Sequence, residues 1–336
     1  MDTLAPSSAA VPQSSGKEAE LREGPNKQLE TGFEAGSARL QLPIQQGPDP
    51  RPKRAGRPSQ KGFTTVPTPQ EIREAVLRSG YLLESRLDTI LRRKGYCVKP
   101  NSAYPDPSTH KSREFDLYAM KAQNAGPRDL DFVFAVLLIE CVNNPQPIAF
   151  FTRKPQVPFL HHHEVKLAGL PVKVKDSPGT FISLPDYLAM DKYHHYCRGR
   201  VASQFCSFQQ KKNSGEWMAT HFPEQFDSFQ KLGVVTEFFI DQHFKSFVLT
   251  KREAVNVEFY YPVLVVEGRL IEIYSQTRIP TIRYVESIHY EHSAFFGTEE
   301  AVYRIDVVTE RFFPRYLKLV ESELAKTARL MRRRDS

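Results

Sequence analysis

The chain has 336 residues, 40% of them hydrophobic and 11% aromatic, which is enough for a real core in one large domain or two small ones. Its formal net charge of +7 and pI near 9.1 lean towards polyanionic partners. Four scattered cysteines (Cys97, Cys141, Cys197, Cys206) form no CxxC pair, no secretory signal is present, and no run approaches the roughly 18 apolar residues of a membrane span, so a disulfide scaffold and a membrane protein are excluded and a cytoplasmic location is expected.

Residues 1–66 lack apolar periodicity and are rich in Ser, Pro, Gly, Gln and Glu, a composition that does not offset the entropy of ordering, so a disordered tail is expected. Within it, the segment 51–61 gathers Arg51, Lys53, Arg54, Arg57 and Lys61 without an acid. Its Arg-Ala-Gly-Arg-Pro core resembles an AT-hook, with Ala55 interrupting the usual Arg-Gly-Arg-Pro. That resemblance implies DNA binding, with an arginine laid in the narrow minor groove of A·T-rich duplex. The plainer alternative is a basic linker that keeps the tail soluble.

A helix is predicted to begin after Thr68, with Pro69 at its first position and Glu71 and Glu74 in the first turn. Gly80 either divides this helix or is tolerated within it, and Gly95 ends the second part. In the run YLLESRLDTILRRKGY, Leu83, Leu87, Ile90 and Leu91 share one face. Glu84 lies roughly 80° from the centre of that stripe, at the edge of the buried face. A first strand, YCVKPNSAY, and a Pro-rich loop lead to SREFDLYA, where Phe115, Leu117 and Ala119 alternate with Glu114, Asp116 and Tyr118. A polar loop containing Asn124 and Gly126 then closes a hairpin with FVFAVLLIECVNN, which is apolar on both faces like a central strand covered by helices. Glu140 ends that strand, where an acid is costly unless something compensates it.

A helix with Glu84, a strand with Asp116 and a buried strand ending in Glu140 together resemble the restriction-endonuclease-like nucleases of the PD-(D/E)XK type, particularly Mrr-like and resolvase-like members. The likeness covers about 70 residues, and Glu140-Cys141-Val142 stands where the family carries Glu-x-Lys. It implies a mixed α/β sheet flanked by helices, with Asp116 and Glu140 as ligands of magnesium or manganese. Glu84 would complete or position the site. Residue 142 shares the face of Glu140, so a lysine there could touch the attacking water and the phosphate, whereas Val142 offers neither charge nor donor. Substitutes for it could come from Asn144, Arg113, Lys154 or Lys166, and the sequence selects none of them.

Beyond Pro147, IAFFTRK reads as a further strand. His161, His162 and His163, with His194, His195, Cys197 and Cys206, invite a zinc hypothesis, but their spacing does not match paired structural zinc ligands. Histidines beside DNA phosphates, or solvated ones without a role, are the competing readings. From Pro185 to about Phe247 the pattern is mostly helical and aromatic, with Tyr187, Tyr193, Phe205, Phe208, Phe226 and Phe229 read as core rather than as base-stacking platforms. Four strand-like runs follow between residues 257 and 309, either extending the first sheet or building a second. A terminal helix carries Leu317, Val320, Leu324 and Leu330 on one face.

The expected organisation is a tail over 1–66, a nuclease-like core over 67–175, a mainly helical insertion over 176–250, and a strand-rich extension with a terminal helix over 251–336. Three functional readings follow. The first is a metal-dependent DNA endonuclease that hydrolyses phosphodiester bonds, as a homodimer or with a protein partner. The second is a non-catalytic module of the same fold that binds nucleic acid or protein, which Val142 supports. The third is an α/β protein unrelated to nucleases.

Overall fold

The computed structural model describes residues 66–106, 111–144, 146–154, 165–170, 173–177, 180–221, 223–248, 255–296 and 299–332. The expectations for the tail, including Arg51, Lys53, Arg54, Arg57 and Lys61, and for His161, His162 and His163 lie outside the described residues. The chain from Thr64 onward forms one compact unit.

Thr68 caps the first helix, α1 (Pro69–Arg78), in a reciprocal capping box with Glu71, and Pro69 occupies the first turn. Gly80 separates it from α2 (Tyr81–Arg93), which buries Leu83, Leu87 and Leu91 as their spacing requires. The strands β1 (Cys97–Pro105), β2 (Ser112–Asn124) and β3 (Phe132–Asn143) then form an antiparallel meander. Asn143 Nδ2 donates to the carbonyls of Leu77 (3.2 Å) and Ser79 (3.4 Å), which fixes the α1–α2 junction to the end of β3.

The next elements are β4 (Ile148–Arg153), β5 (Lys166–Leu170), β6 (Lys173–Ser177), β7 (Thr180–Ser183), α3 (Leu184–Tyr187), β8 (Val201–Gln210), β9 (Trp217–Thr220) and the long α4 (Pro223–Val248). The segment 176–250 is therefore mixed rather than mainly helical, because its aromatic residues serve strands as well as a helix. Phe205 of β8 and Phe229 of α4 are both buried in one core cluster. The C-terminal third supplies β10 (Asn256–Glu267), β11 (Leu270–Tyr274), β12 (Thr281–Val285), β13 (Ser287–Phe296), β14 (Glu299–Thr309) and α5 (Phe313–Arg332). The run IRYVESIHYEH thus divides into two strands at Glu286.

Among the described residues, one mixed sheet holds twelve strands, ten of them in the order β1-β2-β3-β10-β14-β13-β8-β4-β11-β12, and β6 and β7 form a separate pair. The late strands extend the first sheet by entering its middle. β10 runs parallel to β3 over its full length, from Asn256 opposite Phe132 to Glu267 opposite Asn143. On its other edge β10 pairs antiparallel with β5 up to Tyr260 and parallel with β14 from Val263. Pro262, which has no N–H to give a ladder, falls in the interval where that edge changes partner.

Both faces of this centre are covered, as the all-apolar β3 predicts. On one face, Leu83, Leu87 and Leu91 of α2 and Leu317, Val320 and Leu324 of α5 meet Leu137, Ile139 and Val263. On the other, Phe229, Leu232 and Val235 of α4 meet Leu138, Leu264 and Val266. Arg86 of α2 anchors the helix to the ends of β10 and β14, 3.0 Å from Glu267 and 2.5 Å from Glu310. No helix among the described residues is long and apolar enough to cross a membrane.

Candidate functional site

The β2–β3 ladder runs from Asn124 opposite Phe132 to Leu117 opposite Ile139 and stops there. In the same register Asp116 and Glu140 would form the next pair. Instead the strands part, and the Cys141 N–H donates to Asp116 Oδ2 at 2.6 Å. A side chain has taken the place of a ladder bond, so both acids stand in an open fork in the sheet. Through that opening groups from the two faces of the sheet meet.

From one face comes Glu84, in the first turn of α2. A Cβ built on Gly80 would lie 3.6 Å from the Cys141 carbonyl oxygen and 3.8 Å from Glu84 Oε1, so these two oxygens border the same small space. From the other face comes Lys231 of α4, whose Nζ lies 2.7 Å from Glu140 Oε2. Glu140 is 4% exposed, and its other oxygen, Oε1, has no hydrogen-bond partner. Val142 packs in the apolar cluster beneath α4, so the face it occupies receives its ammonium from the helix instead of the strand.

Of the named substitutes for the motif lysine, Arg113 pairs with Asp106 at 2.5 Å, Lys166 lies 3.5 Å from Glu237 and over the Tyr303 ring, and Lys154 is exposed. Asn144 Oδ1 accepts from the Gln146 N–H at 3.4 Å, while its buried Nδ2 has no hydrogen-bond partner among the described residues. Lys231, which the sequence analysis did not single out, is the cation that lies against Glu140.

The electrostatics follow from three acids facing one ammonium. Burial, followed by the charge of Asp116, raises the Glu140 carboxyl to about 8 against the pull of Lys231. Glu84 is raised for the same two reasons. Asp116 is raised by burial alone, opposed by the Cys141 N–H and Lys231. Burial and then the surrounding carboxylates push the Cys141 thiol well above its usual range, away from the reactive thiolate. Among the described residues the three acids do not bring one oxygen each within 4.8 Å of the others, so they form a loose group around the fork.

A second polar cluster lies across the sheet, where α5 covers β14. His194 and His195 are buried rather than solvated, because the turn that carries them is packed under Tyr196 and Tyr261. His195 Nε2 lies 3.0 Å from Asp306 Oδ2, its Nδ1 lies 2.8 Å from Glu323 Oε2, and its backbone N–H donates to Glu323 Oε1 at 2.7 Å. His289 Nδ1 lies 2.9 Å from Asp306 Oδ1, and the Tyr316 hydroxyl donates to Asp306 Oδ2 at 2.6 Å. Against burial, which would lower it, Asp306 and Glu323 carry His195 up to about 10. Burial lowers His194 to about 4. Among the described residues, neither Cys197 nor Cys206 joins these histidines and acids as a potential metal ligand.

Comparison of the chain with family models, curated proteins and solved structures returned no match.

Proposed function

We propose that this protein is a metal-dependent DNA endonuclease of the restriction-endonuclease-like PD-(D/E)XK type, in which Lys231 of α4 replaces the lysine that Val142 displaces. One observation carries the reading: among the described residues Glu84, Asp116 and Glu140 gather loosely around the β2–β3 fork, with the Lys231 ammonium against Glu140. Three carboxyl groups facing one lysine resist ionising together, and a divalent cation would let them do so by neutralising the charge.

The residues fit magnesium or manganese. The donor set is all oxygen, as hard cations prefer. Glu140 Oε1 is buried and unpartnered, and the Cys141 carbonyl and Glu84 open onto the same space beside Gly80. Asp116 and Glu140 would hold the ion, which there supplies an activated water and stabilises charge on the phosphate. The chain's own groups do the positioning. The Cys141 N–H fixes the Asp116 carboxylate, Glu84 offers a carboxylate to a water on the near side, and Lys231 holds an ammonium where phosphate charge develops.

A second reading, a non-catalytic module that binds nucleic acid or a protein partner, draws on the same Lys231–Glu140 pair taken as a structural ion pair. Manganese calorimetry on wild type and Asp116→Ala, each with and without a short duplex, separates the two. Binding that is lost with Asp116 supports the metal site. An absence of binding under either condition removes the nuclease reading and leaves the module.

A further inference from the structure

His289 and Asp306 are directly opposite each other on β13 and β14, so the antiparallel ladder itself sets their spacing. The turn before β8 adds His195, and the three side chains present His195 Nε2, His289 Nδ1 and a carboxylate oxygen of Asp306 within 4.8 Å of one another. We propose that these three residues form a second metal site, distinct from the acidic fork, that takes a divalent transition ion of the zinc type.

The distances suit it. Two ligands bonded at about 2.0–2.1 Å to a tetrahedral ion stand roughly 3.3 Å apart. His195 Nε2 and His289 Nδ1 lie 3.0 and 2.9 Å from the two Asp306 oxygens, so small shifts open the space. Two of the three ligands, His195 and Asp306, already have the support a metal ligand needs. His195 points Nδ1 at Glu323 Oε2, 2.8 Å away, the carboxylate–histidine arrangement found behind zinc ligands. Its Nε2, now paired with Asp306, is the nitrogen that would ligate on giving up its proton as an ion enters. Tyr316 donates to Asp306 and holds its plane.

Two further observations point to a ligand here. His194 is wholly buried, yet its Nε2 has no hydrogen-bond partner and stands 3.7 Å from Glu323 Oε2. His289 also lines a cavity of about 350 Å³ with Thr152, Arg200, Glu272, Arg283 and Ser287. The cavity would give an ion an entry path on the His289 side. The nitrogen donors of the site set it apart from the all-oxygen fork, favouring zinc or cobalt over magnesium. Glu140 of the fork points to the other face: it is level with Leu264 of β10, whereas Asp306 is level with Val263, roughly 10 Å across the sheet.

The test uses the full chain, stripped with chelator and titrated with Co²⁺ followed by visible absorption, then with Zn²⁺ as competitor. One equivalent of Co²⁺ with the strong d–d bands of a four- or five-coordinate site is expected, and Zn²⁺ should displace it. His289→Gln should abolish uptake, Glu323→Gln should weaken it about 10- to 100-fold, and Glu140→Gln should leave it unchanged. Uptake that survives His289→Gln, or that disappears with Glu140→Gln, overturns the proposal. X-ray absorption on zinc-loaded wild type decides without any variant. Imidazole scattering supports the site, and an all-oxygen shell, or no uptake at all, refutes it and leaves the cluster as an ion-pair network.

Discussion

Replacing Glu140 with Gln isolates the electrostatic cost of the fork. The folded protein raises this carboxyl from 4.5 to about 8, chiefly by burial and then by the charge of Asp116. A raised folded value means that the folded state keeps a proton which the unfolded chain gives up. The resulting stabilisation is complete below about pH 4.5 and is lost as pH climbs towards 8. At 1.36 kcal/mol per pH unit, the loss is about 3 kcal/mol by pH 7 and about 5 kcal/mol once pH passes 8. Gln fills nearly the same volume, still offers its carbonyl to Lys231, and has no proton to lose. In chelator, urea denaturation should therefore show wild type weakening relative to Glu140→Gln between about pH 5 and pH 8, the other titrating groups being common to both proteins, so that the variant overtakes it. A cation bound at the fork should reverse the trend for wild type only, releasing protons on binding and tightening as pH rises. Parallel stability curves for the two proteins would refute the argument, since they would mean that Glu140 folds as a carboxylate already compensated by Lys231.

Lys231→Met should abolish manganese-dependent cleavage and raise the Glu140 carboxyl further. Adding Val142→Lys to that variant should restore part of the activity, and a double mutant no better than Lys231→Met would deny that the two positions serve one function. Deleting residues 51–61 should weaken duplex binding and reduce its salt slope by about 0.9 for each phosphate that the segment neutralises. An unchanged slope in a salt titration would remove the AT-hook-like segment from the interface.

The local parts of this protein are written plainly in its sequence. The capping residues of α1, the leucine stripe of α2 and the hairpin of β2 and β3 all arise from neighbours within a few dozen residues, but the alternation expected of Phe115, Leu117 and Ala119 breaks at Asp116, since Phe115 packs beneath α4 while Leu117 and Ala119 pack on the opposite face. Lys231 is beyond such reading. It sits about ninety residues further on, in a helix whose acids and cations look alike until the sheet decides which one turns inward. The second cluster did leave a trace. Arg304-Ile305-Asp306-Val307-Val308 sets an acid inside an apolar strand, the same anomaly that singles out Glu140. Its partners His195, His289 and Glu323 come from three separate segments, and no spacing rule connects them. The order of the sheet was equally hidden, because parallel neighbours such as β3 and β10 share no turn to announce their pairing.

That pairing bears on how the chain is made. β3, the most apolar strand of the early half, has only β2 beside it until β10 is synthesised, roughly a hundred residues later. In the interval a nascent chain carries an open, hydrophobic strand edge of the sort that seeds aggregation. At the same time the fork acids have no Lys231, since α4 also follows. Closure of the centre by β10 is thus a late step joining distant segments, which predisposes the protein to slow folding. A truncated product ending before residue 256 would keep that edge open, and one ending before residue 231 would lack the fork lysine as well.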